Sequence, residues 1–393
     1  MQYRVNQKNK DKLSALGFGC LRFQKKQGNI VMEKAEEQIM SAIEQGVNYF
    51  DTAYVYSGSE EVLGEVLARN HCRDKVYIAT KLPHYFIKKT EDMERYFKEQ
   101  CRRLQTNYID YYLIHMLPDA GTFRRLADLG VFEWAKEKKK EGSIVNFGFS
   151  YHGNTQSFQE LLDLYDWDFC QIQYNYMDEH SQAGRAGLKK ANEMGIPVII
   201  MEPLRGGRLV TGLPKEAVSV MKQQAPDRTT AEWGLRWLFD QPEVTVVLSG
   251  MNTTEMVKEN VRIATNATCG CVTEEERHVY EKVKQILNDK VKVGCTGCSY
   301  CMPCPKGVDI PGVFRCYNVR YTDGLLKAEK EYIMCTTMRS KRSNASLCVQ
   351  CGKCEAHCPQ EIPIRQELKN AKRVLESPAY RVISGVIGKL RRF

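Results

Sequence analysis

From about residue 13 to residue 263 the chain alternates short apolar runs with longer amphipathic ones, and no other feature constrains its fold as much. The apolar runs are Leu13–Gly19, Val47–Phe50, Val76–Thr80, Ile109–His115, Ile144–Phe149, Phe169–Gln173, Pro197–Met201 and Val244–Leu248. Helix-like segments lie between them: Met32–Gln45, Ser59–Asn70, Glu91–Gln105, Val131–Gly142, Thr155–Tyr165, His180–Gly195 and Thr230–Asp240, with Thr253–Ala264 after the last run. Strands alternating with helices give parallel βαβ units. Eight units in about 250 residues fit an α/β fold of the (β/α)8 TIM-barrel type. A doubly wound open sheet is the alternative. It would normally carry G-x-G-x-x-G on its first βα turn. Here Gly17-Phe18-Gly19 is followed by Cys20-Leu21-Arg22, with no third glycine.

In such a barrel the catalytic groups stand at the C-terminal ends of the strands. Those positions hold Asp51 and Tyr56 after the second strand, Lys81 after the third and His115 after the fourth. The four types form an acid–base set. A lysine beside a tyrosine favours phenolate and lowers the tyrosine pKa, and an aspartate holds the ammonium. Tyrosine then donates a proton to a carbonyl oxygen as hydride reaches carbon, and histidine orients that oxygen. Singly, Asp51 or Lys81 would read as a surface pair and Tyr56 as packing; the constellation argues otherwise.

The segments GVNYFDTAYVYSGSEEVLGEVL (46–67), VYIATKL (76–82) and YIDYYLIH (108–115) resemble the aldo-keto reductase family. So do LGFGCLRF (16–23), FGFSYH (147–152), CQIQYN (170–175) and VIIMEPLRGGRL (198–209). The resemblance covers about residues 10–265 and implies the tetrad Asp51, Tyr56, Lys81 and His115. The family's D-x4-Y spacing selects Tyr56 over Tyr54. It also implies an NADP or NAD site: Ser150 and Gln171 at the nicotinamide carboxamide, Asp51 near its ribose, and the Leu204-Arg205-Gly206-Gly207 loop at the pyrophosphate, where backbone amides suit an anion. Met201 stands where the family often stacks an aromatic on the nicotinamide. Asn260, after Glu259, keeps the adenine-end pattern. The lysine of the family's Pro-Lys-Ser motif is replaced within Leu248-Ser249-Gly250-Met251, and its arginine for the 2′-phosphate aligns near Met256. Losing two phosphate-pairing cations weakens discrimination for NADP over NAD.

Beyond the barrel lie two cysteine runs, Cys295-x2-Cys298-x2-Cys301-x2-Cys304-Pro305 and Cys348-x2-Cys351-x2-Cys354-x3-Cys358-Pro359. The second matches the bacterial ferredoxin signature, in which the cysteine before proline crosses to the other cluster. On that logic Cys295, Cys298, Cys301 and Cys358 hold one [4Fe-4S] cluster, and Cys348, Cys351, Cys354 and Cys304 hold the other. The first run ends on a two-residue gap where three is usual. Four-cysteine zinc sites are the alternative, but they usually take two separate C-x2-C pairs. Disulfides are disfavoured in a large chain without a signal peptide. Cys20, Cys72, Cys101 and Cys170 read as core thiols; Cys269, Cys271, Cys316 and Cys335 are candidate spare ligands that read better as ordinary thiols. Ferredoxin motifs appended to a reductase barrel resemble the iron-sulfur branch of the family.

The organisation expected is therefore a barrel over 1–288, a small, mostly helical di-cluster ferredoxin-like domain over 289–376, and a basic tail over 377–393. Thr273–Asn288 reads as a helix capped by Thr273 with three glutamates in its first turn. Ile310–Arg320 and Thr322–Ile333 read as helices, as does a segment from Pro363 to Glu376 that Pro378 breaks. The tail reads as frayed and solvated, or as a short basic segment for a membrane surface or partner.

A net charge of +9 over 393 residues is moderate and interspersed with acids. It would help attract an acidic electron-carrier protein, and a solvated basic surface is a better reading than nucleic-acid binding, for which no recognition motif is visible. No run approaches transmembrane length. A cytoplasmic location is expected. A nicotinamide gives up electrons in pairs and a cluster passes them singly, which leaves three hypotheses. One is a reductase of a small carbonyl substrate, or an alcohol dehydrogenase, whose clusters relay electrons or are structural. The second is a cluster-fed reductase with a flavin in the barrel, or one that reduces its substrate one electron at a time. The third is a non-catalytic barrel that serves as scaffold for an electron carrier.

Overall fold

The computed structural model describes residues 1–289, 291–295, 297, 299–358 and 360–390, the last three as backbone only. Eight parallel strands close into a barrel: β1 (Leu16–Gly19), β2 (Tyr49–Asp51), β3 (Tyr77–Leu82), β4 (Ile109–Ile114), β5 (Ile144–Tyr151), β6 (Phe169–Gln173), β7 (Val198–Met201) and β8 (Val244–Ser249). Each pairs with its neighbours in the chain, and β8 returns to β1 through Val247, Leu248 and Ser249 opposite Leu16, Gly17 and Phe18. The open-sheet alternative is excluded. Helices α1 (Met32–Glu44), α2 (Ser59–Arg69), α3 (Thr90–Leu104), α4 (Val131–Glu141), α5 (Thr155–Leu164), α6 (Gly184–Glu193), α7 (Thr230–Phe239) and α8 (Thr254–Asn266) follow the strands in turn. The strands are covered on both faces, which is why they read as near-continuous apolar runs.

Side chains alternate across a strand, so every second residue points into the barrel. The interior layer is Tyr49, Ala79, Tyr111, Leu113, Phe169, Ile199, Val246 and Leu248. Tyr111 packs edge-on against Tyr49 and Phe169, with ring centroids 5.2 and 5.0 Å apart. Glycines complete the layer where no side chain fits: a Cβ on Gly148 would stand 2.4 Å from the Phe169 carbonyl oxygen and 2.7 Å from its ring. Gly148→Ala is therefore expected to cost about 1–3 kcal/mol through overpacking, read as a lowered unfolding midpoint. Stepping two residues on from this layer gives Asp51, Lys81, His115, Ser150, Gln171 and Met201. The alternation alone carries these six side chains to the C-terminal mouth.

Several elements differ from the sequence reading. Leu13–Gly19 is not one strand: Lys12–Ser14 pairs antiparallel with Tyr3–Val5, and only Leu16–Gly19 joins the barrel. That hairpin closes the N-terminal end, where Tyr111 Oη donates to Asp11 at 2.7 Å. Within loops 117–130 and 204–214 lie helices Ala120–Asp128, started by the Asp119 cap, and Arg208–Thr211. Helix α9 (Glu274–Asn288) has the expected Thr273 cap, in a capping box with Glu276.

The C-terminal region has its own buried cluster, including Val308, Phe314, Tyr317, Tyr332, Leu368 and Leu375. It is built from α10 (Ile310–Thr322), α11 (Leu325–Tyr332), a π-helical turn (Ile333–Thr337), α12 (Ile364–Leu375) and α13 (Pro378–Leu390). Thr322 ends α10 rather than starting α11, because Gly324 at φ 95° breaks the chain between them. Pro378 does not end structure: it opens α13 at the first helical position, where proline is tolerated. Val382, Ile383 and Val386 on α13 are exposed. No helix among the described residues is long and apolar enough to cross a membrane.

Candidate active site

Lys81 Nζ donates to Asp51 Oδ1 at 2.7 Å and to the Thr52 carbonyl at 2.6 Å. Asp51 Oδ2 accepts from Gln171 Nε2 at 2.9 Å. The ion pair is buried, yet both carboxylate oxygens are satisfied, the condition under which such a pair is tolerated. Tyr56 comes from the loop between β2 and α2. Its ring lies beneath the Lys81 ammonium, 5.0 Å from Nζ to the centroid, and edge-on to His115 at 6.1 Å. All four tetrad residues thus meet at one end of the barrel. Tyr54 turns the other way, stacked edge-on with Tyr96 at 4.9 Å and covered by Arg103.

The electrostatics correct one expectation. The Tyr56 phenol is not lowered by its lysine. Desolvation by burial pushes it above the ordinary tyrosine value, and the charges of Asp51 and Glu202 push it further. The Lys81 ammonium is committed to Asp51 and Thr52. His115 is held well below the usual histidine range, by burial first and then by Lys81, His84 and His152, so its imidazole is neutral.

Tyr85, which the sequence reading passed over, places its hydroxyl 3.3 Å from His115 Nδ1. It sits in a short turn, His84–Phe86, just after β3. A search for polar aromatics in the first residues past each strand would have found it. Arg22 is the second omission. It is exposed, and it lies against Gly206 and Gly250: a Cβ on Gly206 would meet Nη2 at 2.8 Å, and one on Gly250 would meet Cδ at 2.8 Å.

The remaining expected nucleotide residues fall as follows. Ser150 Oγ accepts from the Met116 amide at 2.8 Å. Gln171 Oε1 is buried with no hydrogen-bond partner among the described residues. Met201 is half-buried at the end of β7. Leu204 packs where a Gly234 Cβ would be, 2.4 Å from its Cδ2. Gly206 and Gly207 both adopt positive φ, 68° and 95°. Asn260 is buried, and its Nδ2 donates to Ser249 Oγ at 2.9 Å.

Of the eight cluster cysteines, Cys298 lies outside the described residues. Cys304, Cys348, Cys351 and Cys354, one complete expected ligand set, line a single cavity of about 470 Å³ together with Cys301. The Gln350 amide and its Nε2 donate to Cys348 Sγ at 3.4 and 3.3 Å. Cys295 and Cys358 are half-buried. Among the described residues no three His, Cys, Asp or Glu side chains converge on a single metal ion.

The C-terminal region docks on the catalytic face. The Ser340 amide and hydroxyl both donate to Asp119 Oδ2 at 2.9 Å, in the loop after β4. Arg339 Nη2 donates to Ser157 Oγ at 2.7 Å, at the start of α5. Arg208, after β7, donates to the Asp323 carbonyl at 2.9 Å and pairs with its carboxylate at 3.1 Å. A cavity of about 1380 Å³ remains at this junction, walled by the loops after β5, β6 and β7 and by α9 and α10; none of the four tetrad residues lines it.

Solved structures with this barrel include AKR11C1, an aldo-keto reductase from Bacillus halodurans in its holo form, at 26% identity and a TM-score of 0.60, over 72% of this chain and 96% of that one. An aldo-keto reductase from Klebsiella pneumoniae in complex with NADPH shares the fold, at 22% identity and TM-score 0.59, over 72% and 95%. Among curated proteins, the chain is 28% identical to Uncharacterized oxidoreductase YqkF of Bacillus subtilis over 295 residues, 67% of this chain and 90% of that one. It is 23% identical to the NADH-specific methylglyoxal reductase of Escherichia coli, over 60% of this chain and 83% of the relative. The pattern of the Aldo/keto reductase family matches residues 15–268, and the chain belongs to that family. It is an oxidoreductase. Both cysteine runs lie beyond the matched residues.

Proposed function

We propose that the chain reduces a small carbonyl substrate with NADH or NADPH, with Tyr56 as general acid. The observation that carries this reading is the convergence of Tyr56 and neutral His115 on the buried Asp51–Lys81 pair at the mouth of the barrel. The residues present fit a nicotinamide. The unpartnered Gln171 Oε1 is an acceptor for a carboxamide N–H, and Ser150 keeps its hydroxyl hydrogen to donate. The Gly206–Gly207 backbone and the Arg22 guanidinium suit a pyrophosphate. A reduced nicotinamide held there supplies hydride to the carbonyl carbon. The chain's own part is to place and protonate the oxygen. With His115 Nδ1 accepting from Tyr85, Nε2 carries the hydrogen and donates to the substrate oxygen. Tyr56 Oη, kept protonated by its surroundings, delivers the proton. Met256, exposed at the start of α8, brings no cation to a 2′-phosphate, so both nucleotides are accepted. Consumption of NADH and of NADPH with methylglyoxal as probe tests the reading. No turnover with either nucleotide, across small aldehydes and ketones, rejects it.

The C-terminal region from residue 289 is proposed as a separate domain holding two [4Fe-4S] clusters on Cys295, Cys298, Cys301 and Cys358, and on Cys304, Cys348, Cys351 and Cys354. The four thiols of the second set on the wall of one cavity, and the N–H···S contacts at Cys348, support the second set. Each thiolate of a cubane binds a different iron, so its ligands stand farther apart than those of a single ion. Cys351→Ala is expected to lose about half the iron of anaerobically purified protein. Unchanged iron, or zinc in its place, rejects the assignment.

A further inference from the structure

Two thiols outside the eight-cysteine set meet in the C-terminal region. Cys316 lies on α10 and Cys335 in the π-helical turn that continues α11. Such widened turns are frequent at functional sites. The Cys316 and Cys335 thiols interact directly, and Cys316 is the one that keeps its proton. Arg315 Nη2 donates to the same sulfur at 3.1 Å, while Nη1 is paired with Glu331 at 2.6 Å. Packing alone does not account for this. A core thiol needs no cation, and a buried guanidinium with an acid at hand would ordinarily turn its whole fork to the carboxylate. Here the fork is divided between Glu331 and a sulfur.

The pair is also placed to meet a ligand. Cys335 and Arg315 line the cavity of about 1380 Å³ at the junction with the barrel. Across it stand Asp178 and Arg205, paired at 3.1 Å, so the barrel's own charges are already satisfied there. Cys316 is fully buried and does not line the cavity. Cys335 therefore lines the space, and Cys316 adjoins it from the core side. Hydrogen bonding from Cys316 and the Arg315 charge hold the Cys335 thiol below its ordinary value against burial, and Cys316 is pushed well above it. A nucleophilic sulfur in front of a protonated one is the arrangement of an attacking and a resolving cysteine.

We propose that Cys335 and Cys316 are a thiol–disulfide exchange pair acting on a low-molecular-weight disulfide that enters this cavity, with Cys335 attacking and Cys316 resolving. The Cys335 thiolate bonds to one sulfur of the disulfide, whose S–S bond breaks, and the first thiolate leaves. Cys316 then bonds to Cys335 Sγ, and the second half departs as a thiol carrying the Cys316 proton. The pair is oxidised by two electrons, and the small disulfide is reduced to two thiols. Thiols reset the pair by the reverse steps. The inference stands apart from the reductase reading, since no tetrad residue takes part.

The test uses the full-length protein, purified anaerobically and incubated with bis(2-hydroxyethyl) disulfide until exposed Cys269 carries the adduct. Acid quenching, alkylation and peptide mass analysis follow. The expected result is loss of both alkylated thiols and the appearance of a Cys316–Cys335 linked peptide. In Cys316→Ser the adduct should stop on Cys335, and in Cys335→Ser Cys316 should be recovered as an alkylated thiol. Recovery of both cysteines alkylated in the unaltered protein overturns the proposal, as does an adduct on Cys316 in Cys335→Ser.

Discussion

Tyr56→Phe is expected to lower kcat/KM for carbonyl reduction by about 10²–10⁴-fold, the usual worth of a positioned general acid. The loss should fall on kcat, with nucleotide binding unchanged. The substitution removes only a hydroxyl. The ring keeps its place beneath Lys81 Nζ and against His115. Direction of catalysis follows from the same surroundings. Burial, Asp51 and Glu202 together raise the phenol, so Tyr56 stays protonated wherever an ordinary tyrosine would. Reduction should therefore be flat between about pH 6 and about pH 9, with no loss of acid as the ordinary tyrosine value of about 10 is approached. Alcohol oxidation, which needs the phenolate as base, should be the slower direction at neutral pH. If Tyr56→Phe turns over within threefold of the unaltered protein, Tyr56 is not the acid; Tyr85, whose hydroxyl reaches His115 Nδ1, then becomes the candidate.

The barrel was legible because its strands are covered on both faces. Each of the eight runs read from the sequence contains its barrel strand or overlaps it, with ends displaced by a few residues at most. The tetrad was legible for a related reason. Asp51, Lys81 and His115 each stand within one residue of a strand end, in register with interior residues two positions earlier. What the sequence concealed depends on distance through space. Tyr85 and Arg22 belong to short turns without periodicity, and nothing local tells that Arg22 lies against Gly206 and Gly250. The raised Tyr56 phenol was missed because adjacency to Lys81 was weighed without burial, and burial is the larger cause. The docking of residues 309–340 over the mouth rests on single contacts between distant segments, Ser340 to Asp119 and Arg339 to Ser157, which leave no trace in either segment's pattern. The same holds for Cys316 and Cys335. They read as ordinary thiols until α10 and the π-helical turn bring them together.

Lys81→Met is expected to destabilise the fold by about 3–5 kcal/mol, the cost of leaving one partner of a buried ion pair without the other. Lys81 and Asp51 are almost entirely excluded from water, their side chains 2% and 6% exposed. Without the ammonium, Asp51 keeps one hydrogen bond, from Gln171, and its carboxylate must either bear a buried charge or take up a proton. Asp51→Asn in the same chain removes the charge while keeping a polar group for Gln171 Nε2 to meet. The double variant Asp51→Asn/Lys81→Met should therefore recover much of the lost stability in urea unfolding, although both variants lack reductase activity. That separation matters because an activity loss alone would not distinguish a chemical from a structural role for Lys81. A double variant no more stable than Lys81→Met would mean that the carboxylate is solvated or repaired by water. In that case the pair does not set the low-dielectric surroundings on which the raised Tyr56 phenol depends, and the acid assignment would have to stand on geometry alone.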